Sequence, residues 1–181
     1  MGLWLNAIGY QIVWFCAVIG AGSGRWWPAV AAALVFVAWQ WAVSRQRMAD
    51  LRLLAVALGC GLVIDGAMAA SGLAGYAAAW PFAAFAPAWI LAVWAAFAMT
   101  LNQSMRWMQP RLWVAGLLGA VGGPLAYLGA ARGWGAVEFA APQWQALLGL
   151  AVAWALAMPL LAGLGRYWHA MEGEPRRARA A

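Results

Sequence analysis

Leu53-Leu54-Ala55-Val56-Ala57-Leu58-Gly59-Cys60-Gly61-Leu62-Val63-Ile64-Asp65-Gly66-Ala67-Met68-Ala69-Ala70-Ser71-Gly72 contains one ionisable side chain, Asp65, in an otherwise apolar run. An α-helix rises 1.5 Å per residue, so about 20 such residues cross the roughly 30 Å of hydrocarbon in a bilayer. Comparable runs occupy residues 3–22, 26–43, 86–105, 112–131 and 144–168. The last is long enough to tilt, or to emerge at its end. The connections Gly22-Ser23-Gly24-Arg25 and 44–52 are short, which makes successive helices antiparallel neighbours. The expected architecture is an all-α integral membrane protein: a compact bundle of six transmembrane helices over residues 1–168, then a short polar tail over 169–181. The apolar but broken segment 73–85, with Trp80-Pro81, reads as an interfacial loop, a re-entrant turn being the alternative.

Composition points the same way. Of the residues, 67% are hydrophobic and 9% charged, against about a quarter charged in a soluble domain. The formal charge of +6 comes entirely from arginine and does not mark a nucleic-acid binder, because the arginines cluster between apolar runs rather than along one groove-reading face. Counted by side, Arg45, Arg47, Arg52, Arg106, Arg111, Arg166, Arg176, Arg177 and Arg179 face one way, and Arg25 and Arg132 the other. Positively charged loops stay in the cytoplasm, so the expected topology is multi-pass with both termini cytoplasmic. The start Met1-Gly2-Leu3-Trp4 lacks the basic region of a cleaved signal peptide, so the first run is expected to remain a span. The tail arginines are expected to meet anionic lipid, at about 1 kcal/mol each. Cys16 and Cys60 sit in apolar runs and His169 has no neighbouring Cys or His in sequence, so neither a disulfide framework, a metal site nor a cofactor is expected.

Many tryptophans fall near span ends, where an amphipathic ring is favoured, but Trp14, Trp39, Trp94 and Trp154 lie deeper and either pack the bundle or line a pocket. Lipid offers helices no hydrophobic drive to associate, so small residues mark close approach. Gly116, Gly119, Gly122 and Gly123 crowd the fifth run and predict that it is the central helix. Pro124 and Pro159 bend their helices, either for packing or to open a ligand cavity.

An acid in hydrocarbon costs at least about 2.5 kcal/mol, so Asp65 needs a proton, a partner or an aqueous cavity. Rise arithmetic places it about 18 Å from the cytoplasmic edge, with Gln11 at about 12, Trp14 at about 16, Trp94 at about 18, Pro124 at about 20 and Tyr127 at about 24 Å. These residues form one expected layer, in which the acid holds a proton or is hydrogen-bonded to Gln11, Tyr127 or a freed carbonyl. A second layer nearer the cytoplasm comprises Asn6 with Thr100, Asn102, Gln103 and Ser104, serving either as interhelical hydrogen bonds or as a head-group or substrate site.

The runs Ala86-Pro87-Ala88-Trp89-Ile90, Thr100-Leu101-Asn102-Gln103-Ser104-Met105-Arg106-Trp107 and Gly122-Gly123-Pro124-Leu125-Ala126-Tyr127 carry a family resemblance, together with Asn6, Gln11, Trp14, Trp27-Pro28, Asp65 and Gly133-Trp134-Gly135. The chain resembles a group of small bacterial inner-membrane proteins known as domain of unknown function 2878. The resemblance implies the bacterial inner membrane and a link to lipid modification, and it carries no activity with it. Three functional readings follow. The first is the binding of a lipid or other hydrophobic small molecule at Asp65, Gln11, Trp14, Trp94, Tyr127, Asn6, Thr100, Asn102 and Ser104. The second is a proton-coupled permease using Asp65, a reading that allows a homo-oligomer. The third is a lipid-modifying enzyme, which lacks the second acid or base that proton transfer needs at that depth. Membrane lipids and a hydrophobic ligand are the expected partners, with no nucleic acid.

Overall fold

A computed structural model of the chain describes residues 2–178, with side chains as far as Glu172. The tail arginines Arg176, Arg177 and Arg179 therefore lie outside the described side chains. Six helices form: α1 Leu3–Gly22, α2 Trp27–Val43, α3 Arg47–Ala70, α4 Ala88–Leu101, α5 Leu112–Trp134 and α6 Gln143–Ala178. Each coincides with one of the expected apolar runs, and the backbone read as a separate tail continues α6. Local chemistry sets several ends. Pro28 occupies the first turn of α2, where its missing N–H is no loss. Gly135 stops α5 in the left-handed region, at φ 61°, while the Gly135 and Ala136 amides return to the Ala131 and Ala130 carbonyls.

Four of these helices, α1, α3, α5 and the 143–172 part of α6, are long and apolar enough to cross a membrane, whereas α2 and α4 are shorter apolar helices. The shortening of α4 relative to the 86–105 run has a local cause. Thr100 Oγ1 donates to the Phe97 carbonyl at 2.7 Å, the amides of Gln103 and Met105 both return to the Thr100 carbonyl, and the chain tightens into a 3-10 turn at Arg106–Met108. Polar side chains that satisfy the backbone locally compete with helix continuation.

The loop after α3 is more ordered than expected. Its residues Ala74–Tyr76 form strand β1, which pairs antiparallel with β2, Val137–Phe139, from the α5–α6 connection, with Gly75 opposite Glu138. This two-stranded ribbon ties together the two long connections at one end of the bundle. Trp89 at the start of α4 secures it by donating its indole N–H to the Ala77 carbonyl at 2.8 Å.

The expectation of a central fifth helix is corrected. The central element is α4, which touches α1, α2, α3 and α6 and buries ten of its residues, from Trp89 to Leu101. α5 lies outside, closely approached by α6 along its glycines: a Cβ at Gly123 would meet Trp154 Cγ at 2.5 Å. Glycine thus marked one tight seam rather than the middle of the bundle. The outward faces are largely apolar, with Leu34, Val35, Val63, Leu125 and Leu156 all well exposed. A soluble monomer rarely presents so continuous an apolar surface.

Candidate functional site

Asp65 sits four residues after Gly61 on α3, so the two share a face. Gly61 leaves room that a side chain would occupy: a Cβ there would lie 2.5 Å from Trp94 Cδ1. The Trp94 indole, on α4, lies flat in that space and donates its Nε1–H to Asp65 Oδ2 at 2.7 Å. Its other face stacks on Trp154 of α6, with ring centres 4.4 Å apart and planes 14° from parallel. Asp65 Oδ1 accepts two more hydrogen bonds, from the Tyr76 hydroxyl of β1 at 2.9 Å and from the Tyr127 hydroxyl of α5. Burial, reinforced by the adjacent carboxylate, pushes the Tyr76 hydroxyl well above its ordinary pKa and keeps it a donor.

The carboxylate is completely buried, and all three of its partners are neutral donors. Such a set can hold a buried acid without a neighbouring cation, because hydrogen bonds to an ionised acceptor are about twice as strong as neutral ones. It also fixes four elements, α3, β1, α4 and α5, around one atom pair.

Trp94 and Tyr127 have a second role. Together with Trp154 they line a cavity of about 520 Å³ that runs between α1, α4 and α5, while Asp65 itself does not line it. α1 contributes Tyr10, Trp14 and Val18; α4 contributes Trp89, Val93 and Phe97; α5 contributes Gly119, Gly122, Gly123 and Ala126. The wall is mostly aromatic and aliphatic. Small residues on α5 create the space, and a Cβ at Gly122 would meet nothing within 4 Å. Near the wall, the buried Trp154 Nε1–H finds no acceptor among the described residues.

The residues singled out from the sequence divide. Trp94 and Tyr127 meet at Asp65 as expected. Trp14 lines the cavity but does not touch the acid, packing edge-on against Phe15 and Trp134. Gln11 is exposed on the outer side of α1 and binds neither Asp65 nor the cavity, which corrects its place in the layer. Trp39 is also exposed, beside Phe36. The second layer splits in two. Ser104 Oγ donates to Asn6 Oδ1 at 2.6 Å, Asn6 Nδ2 donates to the Met99 carbonyl at 3.2 Å, and Ser104 lines the same cavity as Tyr127. Asn102 turns away and donates to Asp50 Oδ1 at 2.9 Å, and Thr100 bonds only within its own end of α4 and to Met105.

Two contributors escaped the sequence reading. Tyr76 lay in a segment read as an interfacial loop, where no periodicity set it apart. Asp50 lay in a polar connection, where burial had no reason to be expected. Among the described residues no group of three or more His, Cys, Asp or Glu side chains comes together.

The family described as Protein of unknown function (DUF2878) matches residues 3–160. No curated protein and no solved structure matches the chain. Since the match begins with α1 and runs into α6, taking in Asp65, each of its partners and every wall of the cavity, the chain belongs to this DUF2878 family.

Proposed function

We propose that the protein crosses the bacterial inner membrane six times, with both termini in the cytoplasm, and holds a lipid tail or another hydrophobic small molecule in the cavity between α1, α4 and α5. The observation that carries this reading is the cavity itself: about 520 Å³ bounded by aromatic rings and helix-facing glycines, with Tyr127 and Ser104 as sparse polar points along its length. Pockets for small hydrophobic ligands have that character. α1 packs on α5 through Trp14, Phe15 and Gly22 against Trp134, and the lateral approach from lipid is expected between the remaining lengths of the two helices. Asp65 serves this site as a positioning group, holding the Trp94 ring and Tyr127 hydroxyl in place from behind the wall. A permease that moved its proton through Asp65 is less well supported, since the carboxylate does not line the cavity and both its oxygens are already engaged.

Native mass spectrometry of gently purified protein tests the reading. The wild type is expected to retain a co-purifying hydrophobic molecule, and Gly122→Leu, whose Cβ enters open space at the cavity wall, is expected to lose it while remaining folded. A wild-type spectrum without any bound species, or a Gly122→Leu spectrum identical to a ligand-bearing wild type, would sink it.

A further inference from the structure

At the arginine-rich end of the bundle lies a second cavity, about 310 Å³, separate from the first. Two connections and one helix converge on it. The α2–α3 turn supplies Ser44, Arg45 and Gln46, the α4–α5 connection supplies Asn102 and Arg106, and α6 supplies His169. Asp50, in the first turn of α3, forms its floor and is 6% exposed. The floor is already built: Ser44 Oγ donates to Asp50 Oδ2 at 2.5 Å and Asn102 Nδ2 to Oδ1 at 2.9 Å. Gln109 Nε2 in turn donates to Asn102 Oδ1 at 2.9 Å, and Gln46 Nε2 to the His169 carbonyl at 3.2 Å.

An acid near a helix N-terminus is stabilised by the helix dipole, which accounts for Asp50 alone. It does not account for two guanidinium groups bordering the same cavity. Both hydrogen bonds to Asp50 come from neutral groups, and an ionised carboxyl offers about four lone-pair sites, so acceptor capacity remains. A simple anion entering here would meet Arg45 and Arg106 but be repelled by Asp50. A simple cation would meet the reverse. A molecule that carries both charges a few bonds apart satisfies both. Guanidinium forks match phosphate oxygens, and the residual carboxylate sites call for N–H donors, which a primary ammonium has and a quaternary one lacks.

We propose that this cavity binds a phosphoethanolamine group, its ammonium on Asp50 and its phosphate on Arg45 and Arg106. The shared chemistry has two sources, the head group of a phospholipid and a water-soluble phosphoethanolamine ester. The proposal is independent of any occupant of the larger cavity.

The test measures binding of short-chain phosphatidylethanolamine and phosphatidylcholine to the purified full chain in detergent by native mass spectrometry, with soluble O-phosphoethanolamine as competitor. The wild type is expected to prefer the ethanolamine lipid by about tenfold, the order of a charge-assisted hydrogen bond. Asp50→Asn is expected to abolish that preference by weakening ethanolamine-lipid binding more than choline-lipid binding, and Arg106→Gln to weaken both lipids alike. Competition by the soluble ester identifies a water-soluble ligand, and failure to compete identifies a lipid head group. Equal binding of the two lipids by the wild type overturns the proposal. So does a preference that survives Asp50→Asn. Should Asp50→Asn not fold, the exposed Arg45→Gln and Arg106→Gln variants decide, since unaltered ethanolamine-lipid binding in both also overturns it.

Discussion

Asp65 is held by three hydrogen bonds that arrive from three different elements, and the two from tyrosine hydroxyls can be removed without changing the shape of the side chain much. Tyr76→Phe and Tyr127→Phe are each expected to lower stability by about 1 to 3 kcal/mol, the usual range for a bond to a charged or buried acceptor. Asp65→Asn is expected to cost at least as much, because its amide presents two N–H groups toward partners that are themselves donors. Thermal unfolding in detergent measures all three, and an Asp65→Asn protein as stable as the wild type would show that the carboxylate is not so engaged. The lone acid, Trp94 and Tyr127 were legible from composition and helical rise. Gln11 was misplaced because rise gives depth and not direction: it follows Tyr10, which lines the cavity, by about 100° around the helix axis and so leaves that face.

Among the helices, the seam between α3 and α4 depends on a missing side chain. Gly61→Ala places a Cβ where the Trp94 ring lies, so the indole must shift and its bond to Asp65 lengthens or breaks. Overpacking of that kind typically costs about 1 to 3 kcal/mol. Gly59→Ala, two residues away with nothing within 4 Å, is the matched control, expected to be neutral or slightly stabilising. Unfolding midpoints and the Trp emission spectra of the pair check this, and equal behaviour would count against the packing described. Most helix boundaries were legible to within about four residues, since a run of apolar residues of membrane length has few other readings, but α3 starts at Arg47 rather than Leu53 and α6 continues through the expected tail to Ala178. The order of the helices around the core was not. Apolar residues lie on every side of each membrane-length run, so no amphipathic stripe separates an inward face from an outward one, and α4 could not be told from its neighbours. The β1–β2 ribbon was hidden for a different reason: three-residue strands are too short to show alternation.

For the chain as a whole, the arginine asymmetry makes the orientation testable. A fluorescent protein fused at the C-terminus is expected to fluoresce, and alkaline phosphatase at the same point to be inactive. Phosphatase inserted within residues 78–84 is expected to be active, since that connection would face the opposite side. The reverse pattern would invert the topology proposed here. The ribbon and the Asp65 cluster also bear on how such a chain is made. Threading from the N-terminus delivers Asp65 to the membrane first, Tyr76 and Trp94 soon after, and Tyr127 only 62 residues later. At about 5 to 20 residues per second, synthesis leaves an interval of roughly 3 to 12 s in which the acid lacks its last donor. In the topology proposed above, the third helix is expected to stay near water or the insertion machinery until the fifth emerges, so that translation, rather than the first four helices alone, times completion of the bundle.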